Sequence, residues 1–308
     1  MGNFIATDQK MIFFQKWVTD IKPVAVVQIF HGMAEHSGCY DELAAYLNEA
    51  GIAVFASDHR GHGKTVNSDE EYGHIDADTG GDMILEDLHQ LNQQIRKDFT
   101  HIPIFIFGHS MGSFLARAYI AKWGHEIDGV ILSATNGPQP ILTWLGKKIA
   151  DWECRKYGAS HRSKRLSDMS FGSYNKKFAP NRTAFDWLSR DEKKVDAYIA
   201  DPRCGGTFSS GFFAAMLHGI KTLYDPANIK HIPHDMCFLF LTGERDPVSG
   251  FASRIWCAIN TYEKFGLFDV EAVFYAQCRH DLKLELNREV IFKDIVTWIS
   301  GKLKEWKK

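Results

Sequence analysis

The hydrophobic residues of this chain follow two patterns that alternate along the sequence. Short continuous runs rich in Val, Ile, Leu and Phe are typical of β-strands buried on both faces. These runs lie at residues 24–30, 52–56, 104–107, 130–132, 237–241 and 271–275. Between them, apolar residues recur every three or four positions, as at Ile84, Leu88, Leu91 and Ile95, which predicts amphipathic helices.

Strands that alternate with helices predict an α/β fold, with a mostly parallel central sheet and helices on both faces. Two short runs near the start, Phe4–Thr7 and Ile12–Val18, predict an antiparallel pair at one edge. The alternation stops between about 137 and 233, where only helical patterns and polar loops occur. We therefore expect a single domain over 1–308, with a helical cap, or lid, inserted at about 137–233.

Composition narrows the class of protein. The chain has 308 residues, is 45% hydrophobic and carries 36 basic against 38 acidic residues, which excludes disorder of the whole chain. The net charge of −2 argues against nucleic-acid binding, because that function needs a basic surface.

The location of the protein is predicted from two further features of the sequence. No apolar run has the roughly 18–20 residues of a membrane span, and Asp8 and Lys10 interrupt a signal-peptide pattern at the start. The six cysteines include no Cys-x-x-Cys pair, which indicates reduced thiols. We therefore expect a cytoplasmic protein.

The segment with the strongest chemical signal is Gly108-His-Ser-Met-Gly112, a Gly-x-Ser-x-Gly motif. It directly follows the strand predicted at 104–107 and precedes a helical pattern at 114–123. In such a strand–turn–helix setting, the glycines allow a turn tight enough to expose the serine hydroxyl above the sheet. The hydroxyl then lies at a helix N-terminus, which favours developing negative charge. The motif predicts Ser110 as a catalytic nucleophile.

A serine nucleophile needs a histidine base, and that base needs an acid to orient it. After a motif of this kind the expected chain order is serine, acid, histidine. His280 is the one histidine downstream of the strand at 237–241 and is predicted to be the base. Glu244 and Asp246 both follow that strand. Asp246 is favoured because Pro247 holds its backbone extended, and Glu244 remains the alternative.

Acyl transfer also needs hydrogen-bond donors for the oxyanion. The backbone N–H of Met111, directly after the nucleophile, is one candidate. Met33, in the glycine-containing loop after the strand at 24–30, is the second.

Two other segments resemble binding motifs. Residues Gly61–Thr65 end like a phosphate-binding loop, but Asp58 stands where that loop needs its first glycine. His59 and His62 have no carboxylate or thiol at metal-ligand spacing. We therefore expect no nucleotide, no cofactor and no metal.

Six segments together resemble the α/β-hydrolase superfamily, and more narrowly its monoacylglycerol lipase and lysophospholipase-like branch, a bacterial-type serine hydrolase. The segments are His31-Gly-Met-Ala-Glu-His-Ser-Gly38, Asp58-His-Arg-Gly-His-Gly-Lys64, Gly108-His-Ser-Met-Gly112, Asp201-Pro-Arg-Cys-Gly205, Gly243-Glu-Arg-Asp-Pro-Val248 and Arg279-His280. The resemblance implies an α/β-hydrolase fold with an inserted cap and no cofactor. It also implies that Ser110, Asp246 and His280 form a catalytic triad, with Met33 and Met111 supplying the oxyanion amides.

The sequence departs from this branch at three positions. Cys39 stands where Arg is frequent, Ser113 where a second Gly is frequent, and Asp281 where Glu is common. None belongs to the implied triad. Cys39, however, lies near the expected mouth of the site, where it bears on substrate preference.

The resemblance implies a serine hydrolase that cleaves carboxylic esters of single-chain lipids, of monoacylglycerol or lysophospholipid type, through an acyl-enzyme. A peptidase or amidase of the same fold is the alternative enzyme, because the same triad serves both reactions. A binding module without catalytic activity is the alternative outside enzymes.

The charge of the chain is unevenly distributed. Residues 147–182 hold ten basic and three acidic residues, a local charge of +7, so the rest of the chain carries −9. Beside them, Trp144, Leu145, Ile149 and Trp152 are spaced to share one helix face. Such a cap suits peripheral contact with an anionic lipid surface or a phosphate head group, or it is a solvated lid face. The sequence leaves both interpretations open, and the oligomeric state as well.

Overall fold

The structure, a computed structural model, describes residues 1–306 and contains a central eight-stranded sheet. The strands are β1 (Gly2–Ile5), β2 (Met11–Trp17), β3 (Ala25–Phe30), β4 (Ile52–Ser57), β5 (Ile104–His109), β6 (Gly129–Ser133), β7 (Phe238–Gly243) and β8 (Val270–Tyr275). They lie in the order β1-β2-β4-β3-β5-β6-β7-β8. The antiparallel edge pair expected from the first two runs is confirmed, since β2 pairs antiparallel with both β1 and β4. All other pairs are parallel.

The α-helices lie between the strands along the chain, and the last of them follows β8. They are α1 (Asp41–Glu49), α2 (Gly80–Asp98), α3 (Met111–Trp123), α4 (Pro140–Tyr157), α5 (Lys164–Phe171), α6 (Glu192–Ala200), α7 (Ser210–Thr222), α8 (Pro226–Ile229), α9 (Ile255–Glu263) and α10 (Arg288–Trp306). Within residues 1–306, no helix is both long and apolar enough to cross a membrane.

The sheet has one hydrophobic core on each face. Every residue of β3 to β7 is buried, which explains why these strands are continuous apolar runs rather than alternating ones. On one face, Leu88 of α2 and Tyr119 of α3 lie in the first core. On the other, Leu47 of α1 and Ile295 of α10 lie in the second. The predicted α/β fold with helices on both faces is therefore confirmed.

The segment between β6 and β7 contains α4 to α8, and α4 packs against α7. Local sequence sets its helix ends. Pro140 is the first residue of α4, a position at which a backbone N–H would have no hydrogen-bond partner within the helix. Gly158 follows the last residue of α4 and has a φ of 91°. The Ser209 side chain caps α7 by accepting a hydrogen bond from the N–H of Phe212. The carboxyl ends of β5, β7 and β8 lie at the same sheet edge, and this is where the predicted chemistry converges.

Candidate active site

Ser110 lies at the sharp turn between β5 and α3. Its backbone has φ 51° and ψ −118°, a conformation that non-glycine residues rarely adopt and that is typical of functional turns. The flanking glycines leave no room for a side chain. A Cβ on Gly108 would lie 2.5 Å from the carbonyl oxygen of Gly112, and one on Gly112 would lie 1.9 Å from that of Phe30. The turn therefore requires the glycines of the motif.

A chain of hydrogen bonds joins Ser110 to the ends of β7 and β8. The Ser110 Oγ donates to His280 Nε2 at 3.0 Å, and His280 Nδ1 donates to Asp246 Oδ1 at 3.0 Å. Asp246 is fully buried, and its Oδ1 also accepts from the backbone N–H of Val248 at 2.8 Å. Glu244, two residues earlier, is exposed. The structure thus brings Ser110, His280 and Asp246 together and leaves Glu244 outside.

The segment between β6 and β7 holds the loop that carries His280. The backbone N–H of His280 donates to the carbonyl oxygen of Trp187 at 3.3 Å, and that of Asp281 donates to the carbonyl oxygen of Leu188 at 2.7 Å. The ring centroids of Trp187 and His280 lie 5.1 Å apart. Sequence reasoning missed Trp187 and Leu188, because a backbone contact of this kind has no signature in the linear pattern.

Two pockets meet at Ser110. The first has a volume of about 230 Å³ and lies between α4, α5 and α7. Its wall is mostly apolar and includes Leu142, Met169, Met216, Leu217, Ile220 and Leu223. The second has a volume of about 260 Å³ and is more polar, with Asp168, Tyr198 and Thr207 in its wall. We call them the apolar pocket and the polar pocket.

The predicted oxyanion residues border these pockets. Met33 lines both of them, and Met111, the first residue of α3, lines the apolar pocket. A further cavity of about 330 Å³ between α2, α3, α7 and α8 shares Met111, Phe114 and Met216 with the apolar pocket. These side chains therefore form a wall between the further cavity and the apolar pocket.

A buried charged cluster lies behind Ser110 and His280. Lys283 Nζ lies 2.7 Å from Glu35 Oε2 and 2.6 Å from Asp281 Oδ2, and each of these side chains is at most 5% exposed. Glu35 also accepts hydrogen bonds from the Tyr40 hydroxyl at 2.7 Å and from the backbone N–H of Gly32. The cluster thus fixes the loop that contains Met33 to the loop that contains His280.

The pKa values in this cluster follow from burial and charge. Burial is the largest single influence and would raise the pKa of Glu35, but the charge and hydrogen bond of Lys283 together with the nearby histidines lower that pKa. Burial raises the pKa of Asp281. Burial lowers the pKa of His109 well below its ordinary value, so its ring, 3.8 Å from Asp281, is neutral. Lys283 belongs to no motif that the sequence analysis recognised, and only the tertiary structure shows that it pairs with Glu35 and Asp281.

The histidines near position 60 form a buried structural cluster. The rings of His31 and His59 stack at 3.8 Å between centroids, and His62 lies 5.1 Å from His31. The backbone N–H of His59 donates to His31 Nε2 at 2.9 Å. Burial lowers the pKa of all three rings, which keeps them neutral. Their hydrogen bonds join two loops of the backbone.

The segment that resembles a phosphate-binding loop folds around the carboxylate of Asp58. This carboxylate accepts hydrogen bonds from the backbone N–H groups of Ser37 and Lys64, at 2.8 Å and 2.6 Å. A Cβ on Gly63 would lie 2.1 Å from the same carboxylate. The loop therefore wraps a carboxylate of the chain itself.

Among the residues that the structure describes, two groups of side chains place metal-ligating atoms within 4.8 Å of one another. The first is Glu35, His109 and Asp281, where the Lys283 ammonium already contacts both carboxylates. The second is His36, Cys39 and Cys204. The Nδ1 of His36 accepts from the backbone N–H of Gly38 at 3.1 Å, and its Nε2 lies 3.0 Å from Asp201 Oδ2.

Comparisons with known proteins agree with this architecture. The family described as "Serine aminopeptidase, S33" matches residues 21–287. A "Putative monoglyceride lipase" of Schizosaccharomyces pombe is 36% identical over 299 residues, which are 94% of this chain and 71% of that protein. A "Monoacylglycerol lipase" of Mycolicibacterium smegmatis is 26% identical over 95% of this chain and 94% of that one.

A solved structure with a similar fold agrees with these sequence comparisons. The carboxyl esterase of Bacillus coagulans in complex with glycerol has a TM-score of 0.88 and 25% identity, covering 98% of this chain and 97% of that one. Because the family match spans most of the sequence and the fold agrees along it, the chain belongs to the α/β-hydrolase family described as serine aminopeptidase S33, in its monoacylglycerol lipase-like branch.

Proposed function

We propose that the protein is a serine hydrolase that cleaves carboxylic esters of single-chain lipids, of monoacylglycerol or lysophospholipid type, through an acyl-enzyme intermediate. The observation that carries this proposal is the hydrogen-bonded chain Ser110–His280–Asp246 at the meeting point of the apolar and polar pockets. Nucleophile, base and orienting acid are the three parts that acyl transfer needs.

Each group has a defined role in the proposed reaction. His280 Nε2 takes the proton of Ser110 as its Oγ attacks the ester carbonyl, and Asp246 stabilises the resulting imidazolium. The backbone N–H groups of Met33 and Met111 bind the oxyanion of the tetrahedral intermediate. His280 then protonates the departing alcohol and, in the second half-reaction, activates the water that releases the fatty acid.

The substrate class is supported by the two pockets and by the relatives. The apolar pocket between α4, α5 and α7 suits one acyl chain, and the polar pocket, with Tyr198 and Thr207 in its wall, suits a glycerol or phosphate-bearing head. The similar proteins of Schizosaccharomyces pombe and Mycolicibacterium smegmatis carry names that refer to monoacylglycerols.

A hydrolysis panel tests the proposal. Monoacylglycerols and lysophospholipids of graded chain length are incubated with the protein, and Ser110→Ala serves as the blank. We expect fatty-acid release that requires Ser110, together with labelling of Ser110 by a fluorophosphonate probe. Absence of that labelling in the folded protein would refute both enzyme hypotheses, and the hypothesis of a binding module without catalytic activity would remain.

A peptidase or amidase is the second candidate, and the description of the matching family as a serine aminopeptidase favours it. Comparing p-nitrophenyl acyl esters with aminoacyl anilides separates the two activities. Higher kcat/KM for the anilides would replace the esterase proposal.

We also propose that residues 137–233 act as a cap whose α4 contacts lipid surfaces. Ile141, Leu142 and Trp144 on α4 are 78%, 62% and 60% exposed, and the basic segment 147–182 begins within the same helix. Exposed apolar side chains beside positive charge are typical of peripheral membrane contact. Binding to anionic vesicles should fall as salt is raised. Binding indifferent to salt would exclude the electrostatic contribution.

A further inference from the structure

Two cysteines that are remote in sequence lie side by side at the junction between the cap and the sheet. The Sγ atoms of Cys39 and Cys204 are 3.8 Å apart, although 165 residues separate them along the chain. Cys39 belongs to a short 3-10 helix, Ser37–Tyr40, in the loop after β3. Cys204 lies in the loop between α6 and α7. All six cysteines lie within residues 1–306, and none of them is disulfide-bonded there.

Several contacts hold these two loops together around the sulfur atoms. The backbone N–H of Gly205 donates to the carbonyl oxygen of Ala34 at 3.0 Å, and the Tyr198 hydroxyl donates to the same oxygen at 2.9 Å. His36 Nε2 lies 3.0 Å from Asp201 Oδ2. A disulfide needs an S–S distance of roughly 2.05 Å, so the sulfur atoms must approach by about 1.8 Å. Side-chain rotation and a small loop shift supply such a movement.

The surroundings of the pair favour a reactive thiol. The hydrogen bond from Cys204, acting against burial, lowers the pKa of the Cys39 thiol. The pKa of Cys204 is raised, so Cys204 keeps its proton. Cys39 and Cys204 both line a pocket of about 300 Å³, which has room for a small oxidant.

We propose that Cys39 and Cys204 are a redox-active thiol pair, which hydrogen peroxide converts into a disulfide that ties the cap to the loop after β3. The Cys39 thiolate attacks the O–O bond, forming a sulfenic acid and releasing hydroxide. The Cys204 sulfur then attacks that of Cys39, and the sulfenic oxygen leaves with a proton as water. In total, two thiols and one hydrogen peroxide give one disulfide and two waters.

The disulfide has a consequence for the site. Gly205 and Thr207 line the polar pocket, and Ala34 follows Met33 in the loop after β3. Drawing the two loops together displaces groups that border Ser110, and a displacement on the order of 1 Å can cost about 10²-fold in rate. We therefore expect oxidation to lower ester turnover at least tenfold, and dithiothreitol to restore it.

The experiment treats the full chain with hydrogen peroxide and maps its disulfides by mass spectrometry. In the wild type we expect the peptides of Cys39 and Cys204 to be joined, with a mass loss of about 2 Da. We also expect Tm to rise by roughly 5 °C or more, because the bond closes a long loop. Cys204→Ser should show neither change. Cys257→Ser, which removes an exposed thiol on α9, should behave as the wild type.

Three results would overturn the proposal. They are oxidation of Cys39 to sulfinic or sulfonic acid without a disulfide, a disulfide that leaves both Tm and turnover unchanged, and equal inactivation of the wild type and Cys204→Ser. Loss of ester turnover through methionine oxidation is recognised because dithiothreitol does not reverse it. The disulfide map and the melting curve need no substrate, so they remain informative even if the proposed esterase activity fails.

Discussion

Lys283 lies between two buried carboxylates, and replacing it by methionine tests the role of that cluster. Its Nζ contacts Glu35 at 2.7 Å and Asp281 at 2.6 Å, and its side chain is 5% exposed. Methionine keeps most of the volume of lysine and removes the charge. Lys283→Met therefore leaves both carboxylates buried without their counterion.

The size of the effect follows from burial. Removing one partner of a buried ion pair costs about 3–5 kcal/mol, a large fraction of the roughly 5–15 kcal/mol that stabilises a typical protein. With about 2.1 cal/mol/K of unfolding entropy per residue, a chain of 308 residues has an unfolding entropy near 650 cal/mol/K by the same rule. The melting temperature should fall by about 5–8 °C.

Thermal melts monitored by circular dichroism measure this loss. Lys122→Met is the matched control, because Lys122 pairs with Asp82 at 3.0 Å while the two side chains are 44% and 71% exposed. Exposed pairs contribute at most about 1 kcal/mol, so its Tm should fall by less than roughly 2 °C. Equal shifts for the two variants would refute the reasoning.

The pH dependence gives a second test of the same cluster. In the wild type, Lys283 lowers the pKa of Glu35, so this stabilisation is present above the ordinary pKa of glutamate and is lost as pH falls through the lowered value. Without Lys283, burial raises the pKa of both carboxyls. A carboxyl with a raised pKa stabilises the fold at low pH and loses that contribution as pH rises. The Tm deficit of Lys283→Met should therefore be smaller at pH 5 than at pH 8.

Three further substitutions test the turn, the proposed triad and the apolar pocket. Asp246→Asn should lower kcat for ester hydrolysis by roughly 10⁴, and a loss below tenfold would indicate another acid. Gly112→Ala places its Cβ 1.9 Å from the Phe30 carbonyl oxygen and should lower Tm strongly; a melting curve like that of the wild type would contradict the tight turn. Met216→Trp narrows the apolar pocket and should lower kcat/KM for long-chain p-nitrophenyl esters at least tenfold while sparing the acetate. Equal loss for both esters would exclude this pocket as the acyl site.

The sequence by itself determined the strands of the sheet, several of the helices that pack on it, and the serine turn. Each depends on residues that are close in sequence. The spacing of apolar residues shows which face of one helix or strand is buried, and the glycines around Ser110 are required because the five-residue turn leaves no room for side chains. It also narrowed the partners of Ser110 to His280 and to Asp246 or Glu244, because chain order leaves few candidates after β7.

Only the tertiary structure decided which side chains meet. Asp246 is buried against His280 while Glu244 is exposed, a difference set by how the loop after β7 packs. Lys283 and Glu35 are 248 residues apart, and Cys39 and Cys204 are 165 apart. Contacts between remote loops leave no periodic signal in the chain, because they depend on the order of strands in the sheet and on how the segment between β6 and β7 packs against it.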